Sequence, residues 1–467
     1  MSNFWDYNVW GWMILFSVLL GSLLLGNIIK KSIPFLQNSL IPTSVLGGII
    51  ILIFEAIFKA ITGVDVFESE IFGGNEIANL EIITYHTLAL GFIASSFKTT
   101  GGKITKKRAG EIFDTGVTTV STYLLQAVFG LGITMIAVLF IKDFFAAAGV
   151  LLPFGYGQGS GQAMNYGMIY ENDFNFVGGK SFGLTIAALG FLSASIGGVI
   201  HLNVMKRCGK LVLSKRTDGS LHTEEQISPA NEIPMQESVD KLTVQMALIM
   251  MAYMLAYLLM IGLGALLPGM KSVIYGFNFL LGVLTATLIK ISMNFLRRKK
   301  IIKKKYTNNF LMTRVSNFFF DIMVVAGVAA IKLDILENYW GIMLILGVVG
   351  AVITYVYNRI VAKTLFKDYS EEQFLAMYGM LTGTASTGII LLREVDGDFR
   401  TPASDNLVYQ NFPAIVFGFP MMFLATLAPV RPVLSLIIFI LFFTVMNIIL
   451  FRRQIFGRHF KKKNKSE

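Results

Sequence analysis

Four glycines at alternate positions follow a proline in the segment Leu151-Leu-Pro-Phe-Gly-Tyr-Gly-Gln-Gly-Ser-Gly-Gln-Ala163. Each glycine costs about 1 kcal/mol in a helix interior, and Pro153 adds a missing donor and a steric clash. This pattern predicts a broken helix or a re-entrant hairpin rather than a continuous span. Such backbone is tolerated at membrane depth only where it is buried in protein or lines a cavity. There its carbonyls can coordinate sodium, and its N–H groups can hold a carboxylate.

A second Gly-rich segment, Met377-Tyr-Gly-Met-Leu-Thr-Gly-Thr-Ala-Ser-Thr-Gly388, lies at the corresponding place in the second half of the chain. Interrupted segments in matching positions point to the binding site of a transporter. Hydroxyl and amide oxygens are interleaved in both segments, and they suit a hard cation or can donate to a carboxylate. Small residues can instead serve tight helix packing with a spacing of four, whereas the first glycines repeat every two residues.

These segments predict ligands of two kinds. The predicted substrate-binding residues are Gly157, Gln158, Gly159, Ser160, Gly161, Thr384, Ser386, Thr387 and Arg393. The predicted sodium ligands are Asn165, Thr382, Gly383 and Asp321.

Two of these residues are charged, and each has an ordinary alternative role. Asp321 falls inside a predicted span, where a carboxylate is costly and usually functional. It can coordinate a cation or handle a proton, or it can pair with Arg314 or Lys332. The Arg393 guanidinium can hold a substrate carboxylate bidentately, or it can anchor its helix at the cytoplasmic side beside Glu394.

The elements that carry these segments must cross a membrane. Apolar residues make up 54% of the 467 residues, charged residues only 15%, and the mean hydropathy is +0.64. A soluble chain carries about a quarter charged residues. Runs of the ~20 residues that cross a bilayer predict an all-α polytopic protein with about 11 spans, near 10–29, 40–60, 82–97, 112–141, 181–203, 241–267, 271–293, 310–332, 339–362, 408–428 and 432–451. The first run lacks a basic flank and a cleavage site, so we expect a retained span rather than a signal peptide.

Lysine and arginine cluster after odd-numbered spans and in the tail, whereas the segment after the second span carries only acidic charges. The positive-inside rule then places the N-terminus outside and the C-terminus in the cytoplasm, and we expect the inner membrane of a prokaryote. The net charge of +11 therefore indicates loops near anionic lipid rather than nucleic-acid binding. The single cysteine, Cys208, allows no intrachain disulfide.

Residues 206–240 form the only long polar connection. We interpret them as a cytoplasmic linker between membrane halves 1–205 and 241–430, with an extra span and a basic tail at 431–467. Each half then contains five spans. Because five is odd and the linker stays inside, the second half must enter the membrane from the opposite side. That arrangement is an inverted repeat, which many secondary transporters use.

The run Pro153–Ala163 resembles the first Gly-rich re-entrant loop of the glutamate:sodium symporter family, and Thr382–Gly388 resembles its second loop. The start of the second span, Ile41-Pro-Thr-Ser-Val-Leu-Gly-Gly48, is similar to that family's Ile-Pro-x-x-Val-x-Gly-Gly. The resemblance covers most of the chain. It implies coupled import of glutamate with sodium, the two loops meeting near mid-membrane. The chain departs from the family's second loop, Gly-x-Gly-x-Gly-Ala-Thr-Pro, and adds the run 432–451.

The sequence carries no hydrolase triad, metal-ligand pair or Gly-x-x-x-x-Gly-Lys-Ser/Thr motif, so neither an enzyme nor an ATP-driven pump is expected. We predict a sodium-coupled symporter for glutamate or a similar small carboxylate, with no cofactor besides the sodium ion. A carrier of citrate-like hydroxycarboxylates is the alternative, and a channel or a membrane sensor is a different class. We expect the protein to lie in a lipid bilayer. The sequence leaves undecided whether it forms a homodimer.

Overall fold

The computed structural model describes residues 4–38, 41–69, 72, 78–98, 105–208, 232, 234, 239–268, 271–276, 278–332, 339–396 and 401–455. Within these ranges the protein is all-helical. Its longer helices are α1 (Tyr7–Ser32), α2 (Thr43–Thr62), α3 (Ala78–Phe97), α4 (Lys106–Ala137), α5 (Ser160–Phe174), α6 (Gly179–Arg207), α7 (Lys241–Leu266), α8 (Asn278–Arg298), α9 (Asn309–Ala329), α10 (Trp340–Leu365), α11 (Ser370–Thr382), α12 (Ala385–Arg393), α13 (Ala403–Tyr409), α14 (Asn411–Leu427) and α15 (Pro432–Leu450).

Shorter helical pieces connect several of these helices, at Pro34–Asn38, Val66–Glu68, Ala146–Val150, Leu151–Pro153, Phe154–Gln158, Lys271–Gly276 and Lys367–Tyr369. Polar residues set the starts of three long helices. The Thr105 hydroxyl accepts from the Arg108 amide at the start of α4. Asp240 and Asn308 accept in the same way at the starts of α7 and α9, where the first backbone N–H groups have no intrahelical acceptor.

Ten helices within the described residues are long and apolar enough to cross a membrane: α1, α2, α3, α4, α6, α7, α8, α9, α10 and α15. This confirms the predicted helical, polytopic membrane protein. The tenth predicted span, 408–428, is shorter than expected. Its helix, α14, has 17 residues with Pro420 inside, about 26 Å at 1.5 Å per residue, because the chain first forms the separate helix α13.

The predicted span 271–293 was wrong at both ends. Its helix, α8, begins at Asn278 and continues to Arg298, since long basic side chains can reach polar surroundings from within a helix. The ammonium of Lys290 illustrates this reach by donating to the carbonyls of Ser96 and Lys98 at 2.7 and 3.1 Å. The helix can therefore run on past the apolar stretch.

The described helices gather into two compact units that do not follow the order of the chain. Unit 1 comprises Met1–Leu24, Gly47–Lys103 and Asp218–Ala330, and unit 2 comprises Leu25–Leu46, Ile104–Thr217 and Ile331–Glu467. Each unit therefore draws residues from both predicted membrane halves. Most of the predicted linker 206–240 and the tail 456–467 lie outside the described residues.

Unit 1 has an apolar core built from α3, α7, α8 and α9. The buried side chains at its centre are Leu90, Ile93, Ala94, Phe97, Ile249, Ala252, Ala286, Met312, Val315 and Phe319. Helices α3 and α9 approach closely at Gly91, where an added Cβ would lie 2.6 Å from the Phe320 ring. The Ser316 hydroxyl also donates to the Gly91 carbonyl at 2.9 Å.

Unit 2 packs α4, α6 and α10 around the two Gly-rich segments. One of its apolar clusters joins α6, α10, α11 and α12 through Leu202, Ala362, Phe374, Leu375, Tyr378 and Leu391. Close backbone contacts depend on glycine at several crossings. A Cβ on Gly183 of α6, for example, would lie 2.3 Å from the carbonyl oxygen of Ala163 on α5.

Candidate functional site

The first Gly-rich segment is helical up to a single break at Gly159. The chain forms one α-helical turn at Leu151–Pro153 and a π-helical turn at Phe154–Gln158, and α5 starts at Ser160. Gly159 has φ +86° and ψ 179°, a region that essentially only glycine occupies. The predicted interruption therefore falls on one residue rather than on all four glycines.

The other glycines of this segment allow close packing. A Cβ on Gly155 would lie 2.8 Å from the backbone nitrogen of Ala187 on α6, and one on Gly157 would lie 2.1 Å from the ring of Tyr123 on α4. The Tyr123 hydroxyl donates to the Gly157 carbonyl at 3.0 Å. Packing thus explains glycine at these two positions, although their spacing of two is not the spacing of a small-residue helix interface.

The second Gly-rich segment breaks between α11 and α12. Helix α11 ends at Thr382, Gly383 follows with φ −141° and ψ −106°, and extended Thr384 precedes α12. The Thr384 hydroxyl accepts from the backbone N–H of Thr387 at 3.4 Å and lies 3.3 Å from the Thr387 hydroxyl. Thr384 is therefore the N-cap of α12.

The two breaks lie next to each other within unit 2. A Cβ on Gly159 would be 3.6 Å from the Cγ2 of Thr384, and one on Gly190 of α6 would be 2.5 Å from the carbonyl oxygen of Thr382. Each break joins the carbonyl end of one helical piece to the N–H end of the next. Helix N-terminal ends attract anions and C-terminal carbonyls attract cations, so this arrangement can bind both.

Helix α4 contacts both breaks through side chains three residues apart. Tyr123 bonds the Gly157 carbonyl, just before the first break. The amide nitrogen of Gln126 donates to the Leu381 carbonyl at 3.0 Å, just before the second break, and to the Thr354 hydroxyl of α10 at 2.8 Å. One face of a single membrane helix therefore holds the carbonyl ends of both helical pieces.

Uncharged polar side chains continue this contact along α4 and α10. The amide of Asn358 donates to the Thr122 hydroxyl at 3.3 Å, one turn from the contact between Gln126 and Thr354. All four side chains are buried. Sequence reasoning missed them, although Thr122 and Gln126, like Thr354 and Asn358, share an i,i+4 spacing inside apolar spans that could have revealed a polar face.

Three buried polar atoms near this face have no hydrogen-bond partner within the described part of the chain: Ser160 Oγ, Gln126 Oε1 and Asn358 Oδ1. Ser160 immediately follows the first break, and Gln126 contacts the carbonyl before the second. Because an unsatisfied buried acceptor costs about 1–3 kcal/mol, a bound ion or ligand that used these atoms would recover that free energy. Hydroxyl and amide oxygens are suitable ligands for a hard cation.

The structure groups most of the predicted ligands around the breaks. Among the predicted substrate-binding residues, Gly159 and Thr384 form the contact, Ser160, Gly161 and Thr387 are buried in the first turns of the following helices, and Gln158 is half-buried. Ser386 lies in the first turn of α12.

The predicted sodium ligands are distributed more widely. Thr382 and Gly383 form the second break, and the Thr382 hydroxyl donates to the Tyr378 carbonyl at 2.7 Å. Asn165 is buried on α5, where its amide donates to Gln162 Oε1 at 3.0 Å. It follows Ser160 by five residues, about 8 Å along the helix.

The two charged residues among the predicted ligands are both exposed. Arg393 is exposed at the C-terminal end of α12, eight residues after its start and so about 12 Å along the helix from the break. Asp321 is an exposed residue of α9 in unit 1, whereas both breaks are in unit 2.

A scan against models of known protein families finds no match to this chain, and a search of curated proteins finds none either.

Proposed function

We propose that this protein is a sodium-coupled secondary transporter that imports glutamate or a similar small carboxylate by alternating access. The observation that carries the proposal is the contact between the two breaks, where a Cβ on Gly159 would lie 3.6 Å from the Thr384 methyl group. Two interrupted segments from different halves of a membrane protein are typical of transporter binding sites.

The polarity of the helix ends supports a site for an anion together with a cation. The N-terminal ends of α5 and α12 begin at Ser160 and Ala385, and their free N–H groups favour a carboxylate. The carbonyl ends at Gln158 and Thr382 favour a cation. The nearby side chains Ser160, Gln126 and Thr384 are uncharged, so the proposed sodium ion balances the substrate charge.

The order of helices in the two halves supports an inverted repeat. In each half, four long helices precede a broken segment: α1–α4 before the break at Gly159 and α7–α10 before the break at Gly383. Under this proposal the halves enter the inner membrane of a prokaryote from opposite sides. The N-terminus is outside, and each break is reached from a different side in turn.

Uptake into liposomes tests the proposal. Purified protein is reconstituted, and labelled glutamate uptake is measured with an inward sodium gradient and with potassium in place of sodium. We expect uptake that requires the sodium gradient and is competed by unlabelled glutamate. Citrate and other small carboxylates are tested as competitors, under sodium and proton gradients. If no carboxylate is accumulated under either gradient, the proposed function is wrong.

A matched pair of threonine variants links uptake to the breaks. Thr384→Val removes the N-cap hydroxyl at the second break, whereas Thr444→Val removes an exposed hydroxyl in the middle of α15. We expect Thr384→Val to raise the sodium concentration needed for half-maximal uptake, and Thr444→Val to behave as wild type. Equal uptake curves for both variants would remove Thr384 from the site.

A further inference from the structure

A groove of about 360 Å³ lies in unit 1 between α7 and α8. Met251 and Leu255 line it on α7, and residues between Thr285 and Leu296 line it on α8. Both helices are candidate membrane spans. The groove is therefore an apolar surface at membrane depth, and its side chains Leu255 and Leu288 are 37% and 52% exposed.

The groove offers little polar chemistry of its own. The hydroxyl of Thr285 already donates to the Ala252 carbonyl at 2.8 Å, and most of the other lining side chains are leucine, isoleucine or methionine. An occupant of this groove must therefore be apolar along its length. A lipid acyl chain meets that requirement.

Exposed basic residues follow directly where the groove ends at Leu296. We call them the basic cluster: Arg297, Arg298, Lys299, Lys300, Lys303 and Lys304. In the described part of the chain, no ion pair joins any of them to an acidic side chain, and Lys299 lies 5.8 Å from the centre of the Phe295 ring. The Glu232 carboxylate forms ion pairs with Lys241 and Lys305, which are not members of the cluster.

We propose that the groove and the basic cluster together bind one anionic phospholipid. The acyl chain lies between α7 and α8, and the headgroup phosphate contacts the basic cluster. Basic residues at the end of a membrane helix attract anionic headgroups, and here the helix that presents them also forms one wall of the groove. A zwitterionic lipid can use the groove but gains little from the cluster.

The positive charge of the basic cluster favours an anionic lipid over a second copy of this chain as the occupant of the groove. In a two-fold symmetric dimer the same surface patch occurs on both subunits. Two copies joined along this groove would bring two basic clusters, with six positive charges each, toward one another. An anionic lipid instead neutralises them.

Native mass spectrometry of the purified full chain tests this proposal with lipids of matched acyl chains. The protein is titrated with phosphatidylglycerol and with phosphatidylcholine. We expect tighter binding of phosphatidylglycerol. Neutralising two residues in Arg297→Gln/Arg298→Gln should weaken it roughly 25-fold, about fivefold for each charge, and should leave phosphatidylcholine binding unchanged. The double variant Lys106→Gln/Lys142→Gln controls for net charge and should bind as wild type.

A second pair of variants tests the groove itself. Ser292→Trp fills the groove, whereas Ile291→Trp places the same side chain on the exposed neighbouring position. We expect only Ser292→Trp to lose binding of both lipids. If this variant folds poorly, Ser292→Leu fills the groove with a smaller side chain. The proposal is overturned if wild type binds both lipids equally, or if lipid binding is unchanged in the arginine or Ser292 variants. It is also overturned if wild type is a dimer that Ser292→Trp separates.

Discussion

The amide nitrogen of Gln126 donates to the carbonyl oxygen of Leu381 at 3.0 Å, although the two residues are 255 positions apart in the chain. Leu381 is the next-to-last residue of α11, immediately before the second break. Three residues earlier on α4, Tyr123 holds the carbonyl before the first break. The relative position of the two breaks therefore depends on one face of α4.

Replacing Gln126 should weaken both stability and uptake. Gln126→Leu leaves the Leu381 carbonyl and the Thr354 hydroxyl without this donor, so we expect a loss of about 1–3 kcal/mol in unfolding free energy. We also expect sodium-driven uptake to fall about tenfold, the rate equivalent of 1.4 kcal/mol. Denaturation in detergent and liposome uptake measure the two effects. Gln454→Leu, at an exposed position, is the control, and equal results for both variants would contradict the role of Gln126.

A side chain at Gly159 should disrupt the first break. Gly159→Ala places a Cβ where φ is +86° and ψ is 179°, a conformation that costs of order 1–3 kcal/mol for other residues. We expect loss of uptake with the protein still in the membrane. Gly132→Ala is the matched control, because Gly132 lies in the last two turns of α4 and nothing is within 4 Å of its added Cβ. Wild-type uptake by Gly159→Ala would exclude Gly159 from the site.

The carboxylate of Glu371 should make stability depend on pH. Its oxygens accept from Nη1 and Nη2 of Arg359, and its Oε2 lies 3.2 Å from His201 Nε2. Burial alone would raise the pKa of Glu371, but these partners outweigh burial and hold the pKa below its usual range. Because the folded-state pKa is depressed, the stabilisation is present above the unfolded pKa, about 4.3, and is lost as the pH falls through the folded pKa.

Glu371→Gln should therefore destabilise the protein by about 1.5–3 kcal/mol at pH 7, and the difference from wild type should shrink below about pH 4. Melting temperatures between pH 3 and pH 7 measure this change. Burial raises the pKa of the neighbouring Glu372 instead, so Glu372→Gln should be neutral or slightly stabilising at pH 7. A pH-independent difference for Glu371→Gln would contradict the assignment.

An ion pair joins Arg452, two residues after the end of α15, to Asp114 of α4. We expect the stability effects of replacing these two residues to be strongly coupled. Arg452 donates to Asp114 at 2.7 Å, and its guanidinium lies 5.0 Å from the centre of the Phe113 ring. Arg452→Gln leaves the buried Asp114 carboxylate without this partner, so we expect a loss of about 3 kcal/mol. Asp114→Asn combined with Arg452→Gln should recover much of it. A double-mutant cycle by denaturation tests this coupling, with exposed Arg431→Gln as control.

Local features of the chain were predictable because their causes are local. Apolar runs of sufficient length predicted eleven spans, and ten of them correspond to helices that can cross a membrane. The glycine-rich run around Gly159 predicted an interruption. Boundaries that depend on neighbours were less accurate. Helix α8 begins seven residues later than predicted, and α14 is too short to count among the ten long spans.

The sequence by itself determined a helical membrane protein with two interrupted segments, because apolar content and the backbone cost of glycine and proline act within a few residues. Only the tertiary structure decided that Gly159 meets Thr384 and that Gln126 bonds Leu381. These relationships join residues far apart in the chain. They follow from side-chain packing and hydrogen bonding between helices, which the sequence of one helix on its own does not predict.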